Sequence, residues 1–170
     1  SKVNLFIFIF LKFNLLLSTH PFINHSLFMQ LISIFNAMKD KKTKFGYATF
    51  YQVKQMPKLN FASRELQKRF YRSKNSVIKR WLSPTFNLDG WRIDVGNQTG
   101  RYRGEDLHDN VMRDIRQAMN EVKPNTWLVA ENADMWASDL NGSGWDGTMN
   151  YNGFMRPLWA WFNHKPNLAT

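Results

Sequence analysis

The stretch LDGWRIDV, Leu88–Val95, decides the fold, because it reads as a short extended segment that ends on charge. It follows a turn containing Pro84, runs as a strand over Leu88–Ile93 and closes on Asp94. Downstream, WLVA, Trp127–Ala130, is a second apolar run of strand length, closed by Glu131. Between them, Leu107 to Val122 places Val111, Ile115, Ala118, Met119 and Val122 on one face at helical spacing, and Pro124 stops it. Upstream, Ser63 to Leu82 repeats that spacing with Leu66, Phe70, Val77, Ile78 and Trp81, restarting near Asn75 or Ser76. Gly147 to Tyr151 is a third strand candidate. The order helix, strand, helix, strand, loop, strand predicts an α/β domain with a parallel sheet.

In parallel α/β barrels, reactive groups gather where strands end and loops lead into helices. Asp94 and Glu131 close their strands, and Asp146 lies just before the third. Arg92 stands two residues before Asp94, so the two side chains share a face of the strand. A neighbouring guanidinium is expected to lower the Asp94 pKa and keep it ionised, as a nucleophile requires. Glu131 follows four apolar residues, and desolvation is expected to raise its pKa and suit it to proton donation. The same residues also admit a purely structural reading. Arg92–Asp94 would then be an interior ion pair and Glu131 a charge at a helix N-terminus. Asp134 and Asp139 read as capping or loop residues.

Outward from this centre the texture changes. All seven tryptophans lie at Trp81 or later, eight of nine glycines lie at Gly90 or later, and nine of fourteen phenylalanines fall in the first 50 residues. Charge divides the same way. Lys and Arg outnumber Asp and Glu 15 to 2 over residues 1–80, whereas Asp and Glu outnumber Lys and Arg 11 to 8 thereafter, for a net charge of +10. We therefore divide the chain into an apolar, basic extension (1–46) and a catalytic-type segment (47–170). The extension holds VNLFIFIFLKFNLLL, Val3–Leu17, shorter than the ~20 apolar residues a bilayer span needs and broken by Lys12 and Asn14. It admits three readings: a segment foreign to the enzyme, an export or membrane segment, or a strand and helix of the domain itself. The basic residues are scattered apart from Lys39, Lys41, Lys42 and Lys44, and no nucleic-acid motif accompanies them, so nucleic acid is not an expected partner. The absence of cysteine excludes disulfides, thiolate metal sites and cysteine nucleophiles, and leans towards a cytoplasmic setting.

Four segments together resemble the alpha-amylase family of glycoside hydrolases, in its neopullulanase and cyclomaltodextrinase branch. DGWRIDV (Asp89–Val95) is similar to the family's fourth-strand motif, and LVAEN (Leu128–Asn132) to the fifth-strand motif that ends in the acid/base glutamate. MPKLN (Met56–Asn60) resembles the short segment typical of that branch, and WDGTMNY (Trp145–Tyr151) its sixth strand. The resemblance implies a (β/α)8 TIM barrel, of which this chain holds roughly the end of strand 3 to strand 6. It also implies a retaining double displacement on α-glucosidic bonds of starch-type oligosaccharides, with Asp94 as nucleophile, Glu131 as acid/base and Arg92 as the orienting cation. Such a pair lies roughly 5–5.5 Å apart. Asn60, Trp91, Trp145 and Asn150 are candidates for lining the sugar, with core packing the competing reading for each tryptophan. The expected partner is an α-glucan or maltooligosaccharide; no cofactor, metal or membrane partner is expected. A transglycosylase using the same residues, and a catalytically silent fragment, are the alternatives.

Three departures from the family pattern stand out. The third-strand Asp-Asn-His motif has no counterpart in residues 1–56, where His20, His25 and Asp40 keep other company. The seventh-strand aspartate would lie beyond Thr170. Gln98 occupies a position where many relatives carry His or Glu. The chain by itself is therefore expected to be marginally stable and inactive.

Overall fold

A computed structural model describes residues 7–9, 41–42, 44–53, 56–132 and 136–163. Four parallel strands form the sheet: β1 (Ile7–Ile9), β2 (Gly90–Ile93), β5 (Trp127–Ala130) and β6 (Gly147–Thr148), in that spatial order. A small antiparallel hairpin, β3 (Arg101–Tyr102) and β4 (Glu105–Asp106), stands apart. The helices are α1 (Arg64–Gln67), α2 (Val77–Leu82), α3 (His108–Asn120), α4 (Trp136–Asp139) and α5 (Arg156–Phe162). The parallel α/β class expected from the sequence is what the chain adopts.

Strand β2 is the pivot. It pairs with β1 on one side, Ile7 opposite Trp91 and Ile9 opposite Ile93, and with β5 on the other, Gly90 opposite Trp127 and Ile93 opposite Ala130. The close β2–β5 approach depends on Gly90, because a Cβ there would run into the Trp127 carbonyl oxygen. Alternation then sorts the β2 side chains. Trp91 and Ile93 turn into the apolar core with Leu66, Phe70, Ile78, Leu82 and the buried face of α3, while Arg92 and Asp94 turn the other way. Helix α3 buries Val111, Ile115, Ala118 and Met119 of the expected stripe and Met112 besides, while Val122 falls beyond its end and is half-buried. Its first turn is tied down by Asp106, whose carboxylate accepts from the His108 amide at 3.0 Å.

Several boundaries differ from the sequence expectation. The upstream helix is two pieces: α1 runs into a π-helical turn, Lys68–Arg72, and Ser73 breaks it with an extended backbone before α2 starts after Ser76. The third strand stops at Thr148, not Tyr151, because the Asn150 side chain accepts from Gly153 N–H at 2.8 Å and starts a π-helical turn, Tyr151–Met155. Helix α5, which follows it, had no expectation attached. Asp146 is also corrected. It sits before β6, at the opposite end from the carboxylate rim, where it pairs with Arg116 and accepts from the Leu128 amide at 2.7 Å.

Of the 1–46 extension, Ile7–Ile9 form the last strand of the sheet among the described residues; Lys12, Asn14, His20, His25 and Lys39 lie outside the described residues, as does Asp134. Among the described residues no helix is long and apolar enough to cross a membrane.

Candidate active site

Parallel pairing places Ile93 opposite Ala130, so the next residue on each strand, Asp94 and Glu131, occupies the same rung at the same end of the sheet. The backbones remain stitched beyond the strands: Glu131 N–H donates to Ile93 O and Gly96 N–H donates to Glu131 O, both at 2.9 Å. The two carboxyl groups face one another closely enough for each to shift the other's proton affinity.

Arg92 joins them. One end of its guanidinium is paired with Asp94, another lies 3.2 Å from Glu131 Oε1, and its Nε donates to the Met149 sulfur at 3.3 Å. The side chains of Arg92 and Asp94 are each 11% exposed, while that of Glu131 is 25% exposed. Two further groups hold Glu131. The Val95 amide donates to its Oε2 at 2.9 Å, and the Tyr151 hydroxyl donates to its Oε1 at 3.1 Å. The sequence reading missed both. Tyr151 lay inside the WDGTMNY segment, where attention went to Asn150, and a backbone donor has no side-chain signature at all.

The electrostatics reverse the sequence expectation. Asp94 is raised above the ordinary carboxylate value, first by burial and then by the hydrogen bond shared with Glu131; Arg92 acts downward but does not win. Glu131 is lowered. Burial is its largest single influence and acts upward, but the Val95 amide, the shared bond with Asp94, the Arg92 charge and the Tyr151 hydroxyl outweigh it together. The reason is the donor count. Arg92 is divided between both carboxyls instead of serving Asp94 alone, and Glu131 collects two extra donors that stabilise its charged form. The pair is thereby split, Asp94 shifted up and Glu131 down.

Of the four candidates for sugar contact, Asn150 lies at the rim, exposed, one residue from Tyr151. Trp91 does not reach the carboxyls. It is 1% exposed on the helix-facing side, its indole donating to Ile78 O at 3.2 Å. Trp145 is 6% exposed and donates to Nε2 of the buried His108 at 3.1 Å, a core contact. Asn60 is engaged in its own turn, accepting from Ala62 N–H at 3.0 Å. The residues that do line a cleft beside Asp94 are mostly apolar, among them Phe50, Met56, Leu59 and Phe61, with Gln98 at one side. Gln98 accepts from Lys58 at 3.0 Å, and burial pushes the Lys58 ammonium below its usual value. Asp139, read from sequence as a capping or loop residue, is nearly buried in a polar cluster, 2.9 Å from Arg101 and accepting from Asn132 at 3.0 Å. Among the described residues no group of three or more His, Asp and Glu is placed to hold a metal ion.

Residues 29–167 match the alpha-amylase family, catalytic domain. The chain is 34% identical over 109 residues to a cyclomaltodextrinase of Geobacillus thermopakistaniensis, 62% of this chain and 16% of that protein. It is 32% identical over 124 residues to an intracellular maltogenic amylase of Bacillus subtilis, 71% of this chain and 18% of that protein. It thus spans less than a fifth of the length of these relatives. Among solved structures, a cyclomaltodextrinase superposes with a TM-score of 0.61 at 23% identity, over 76% of this chain and 21% of the other, a likeness of fold.

Proposed function

This chain belongs to the alpha-amylase family, matching its catalytic domain over residues 29–167, and we propose on that premise that it carries the nucleophile and the acid/base of a retaining α-glucan hydrolase. One observation carries the reading: Asp94 and Glu131 end neighbouring parallel strands on one rung and share one arginine. The names of the relatives point to cyclodextrins and maltooligosaccharides as substrates, and so to carbohydrate metabolism.

In the first step an Asp94 oxygen bonds to the anomeric carbon as the bond to the leaving oxygen breaks, and that oxygen takes the Glu131 proton. In the second, Glu131 takes a proton from water, whose oxygen displaces Asp94 with net retention of configuration. An acceptor sugar in place of water gives transglycosylation with the same residues. The chemistry needs the proton on Glu131, whereas the surroundings without a sugar shift Asp94 up and Glu131 down. A sugar entering between the carboxyls breaks their shared hydrogen bond and deepens the burial of Glu131, which already acts upward. Arg92 then keeps Asp94 ionised.

A second reading, a catalytically silent fragment, draws on the apolar residues α5 leaves exposed and on β6, which pairs only with β5 among the described residues. A mechanism-based label separates the two. Incubation with 5-fluoro-α-glucosyl fluoride, followed by peptide mass spectrometry, is expected to show a hexosyl ester on Asp94 that is absent from Asp94→Asn. A folded chain that takes no label favours the silent fragment.

A further inference from the structure

We propose that Val95 is a positioning residue for Glu131: its backbone, held in the left-handed region, aims its N–H at Oε2 and leaves Oε1 to carry the transferred proton. The inference rests on the reading of Glu131 as acid/base. Val95 has φ 48° and ψ 44°. The other non-glycine residues with positive φ among those described are Tyr51, Gln52, Asn87, Arg103 and Asn125. Val95 is the β-branched one among them, and a branched side chain resists this conformation most. Such strain persists only where its surroundings over-determine it.

The surroundings here are specific. In an extended chain successive N–H groups point to opposite sides. At Val95 the turn brings two successive amides to one residue: Val95 N–H meets Glu131 Oε2 and Gly96 N–H meets Glu131 O, both at 2.9 Å. With Glu131 N–H on Ile93 O, three hydrogen bonds tie residues 93–96 to Glu131 alone. Gly96 lets the segments approach, because a Cβ there would lie 2.9 Å from the Ala130 Cβ and 3.2 Å from Asn132 Oδ1. The strained turn follows directly on the proposed nucleophile, so one loop orients both reacting carboxyls.

The geometry also divides the two oxygens of Glu131. A fixed amide N–H pairs best with the unprotonated oxygen of a carboxyl and so favours the proton on the other one. Oε2 is so paired with Val95, while Oε1 faces the Tyr151 hydroxyl at 3.1 Å and Arg92 at 3.2 Å, groups that can rearrange when a sugar arrives.

The test is a carboxyl carbon-13 NMR titration of the purified 170-residue chain, assigning Glu131 and Asp94, with Arg92 and Tyr151 the other charged or titratable groups facing Glu131. Replacing Val95 with its α-hydroxy acid turns the amide into an ester and removes only the N–H. The expected result is an upward shift of the Glu131 midpoint. Val95→Gly keeps the N–H and accepts positive φ, so Glu131 is expected to stay in place while the melting temperature rises. An unmoved Glu131 in the folded ester variant overturns the proposal. So does Val95→Gly shifting Glu131 as far as the ester does, since the side chain would then be responsible. If the ester variant does not fold, the unaltered chain still decides. The Val95 amide proton is expected to move with the Glu131 titration and to lose that movement in Glu131→Gln, and an amide indifferent to pH in the unaltered chain overturns the proposal. None of these readouts needs glycoside cleavage, so the fluoride label tests the enzymatic reading separately.

Discussion

Asp94 and Glu131 are alike as residues and differ only in what surrounds them, and their opposed shifts make a prediction about stability. A carboxyl raised in the folded state binds its proton more tightly folded than unfolded. Asp94 therefore supports the fold at low pH and withdraws that support as pH rises from the ordinary 3.8 through its raised value. Glu131 runs the other way, its contribution present above the ordinary 4.5 and lost as pH falls through its lowered value. Asp94→Asn removes the group that costs stability at neutral pH. Its melting temperature is expected to exceed that of the parent at pH 7, with the gap closing as pH falls below 3.8. A gap that does not narrow in acid would refute this account of the pair. The sequence marked Arg92, Asp94 and Glu131 because charge that closes an apolar run is conspicuous. It could not show that Arg92 serves two carboxyls, because Glu131 lies 39 residues beyond Arg92 and reaches it only through strand pairing.

At the scale of elements, the site depends on how closely β2 lies against β5. Gly90 sets that distance, since any Cβ meets the Trp127 carbonyl. Gly90→Ala is expected to cost about 1–3 kcal/mol or more in urea denaturation. It is also expected to change the carboxyl titrations of both Asp94 and Glu131, two strand-ends away from the substitution. Loss of stability with both titrations intact would mean that the pairing does not register the site. Helix α3 was fully legible, because an amphipathic stripe of thirteen residues declares both its period and its buried face. The short elements were not. Strand β6 has two residues in the ladder, and what ends it is the Asn150 side-chain cap, which competes with a continuing strand.

At the scale of the whole molecule, the helix α5 presents large apolar side chains to solvent among the described residues. Trp159 and Trp161 on α5 are 65% and 70% exposed, with Phe154 and Phe162 beside them. Exposed apolar patches of this kind drive association. The double variant Trp159→Glu, Trp161→Glu is expected to lower the fraction of fast-sedimenting species several-fold in analytical ultracentrifugation, with far-UV circular dichroism unchanged. Equal sedimentation of parent and variant would place the sticky surface elsewhere. By itself the sequence determined the α/β class, the main helix, the strand-end carboxylates and the family, because these rest on local periodicity and short motifs. The tertiary structure alone decided which tryptophans face the core and which carboxyl is shifted up and which down. It also decided that the Val95 amide and the Tyr151 hydroxyl meet Glu131. Those are properties of distance and shared solvent exclusion between segments remote in the chain, and no single segment encodes them.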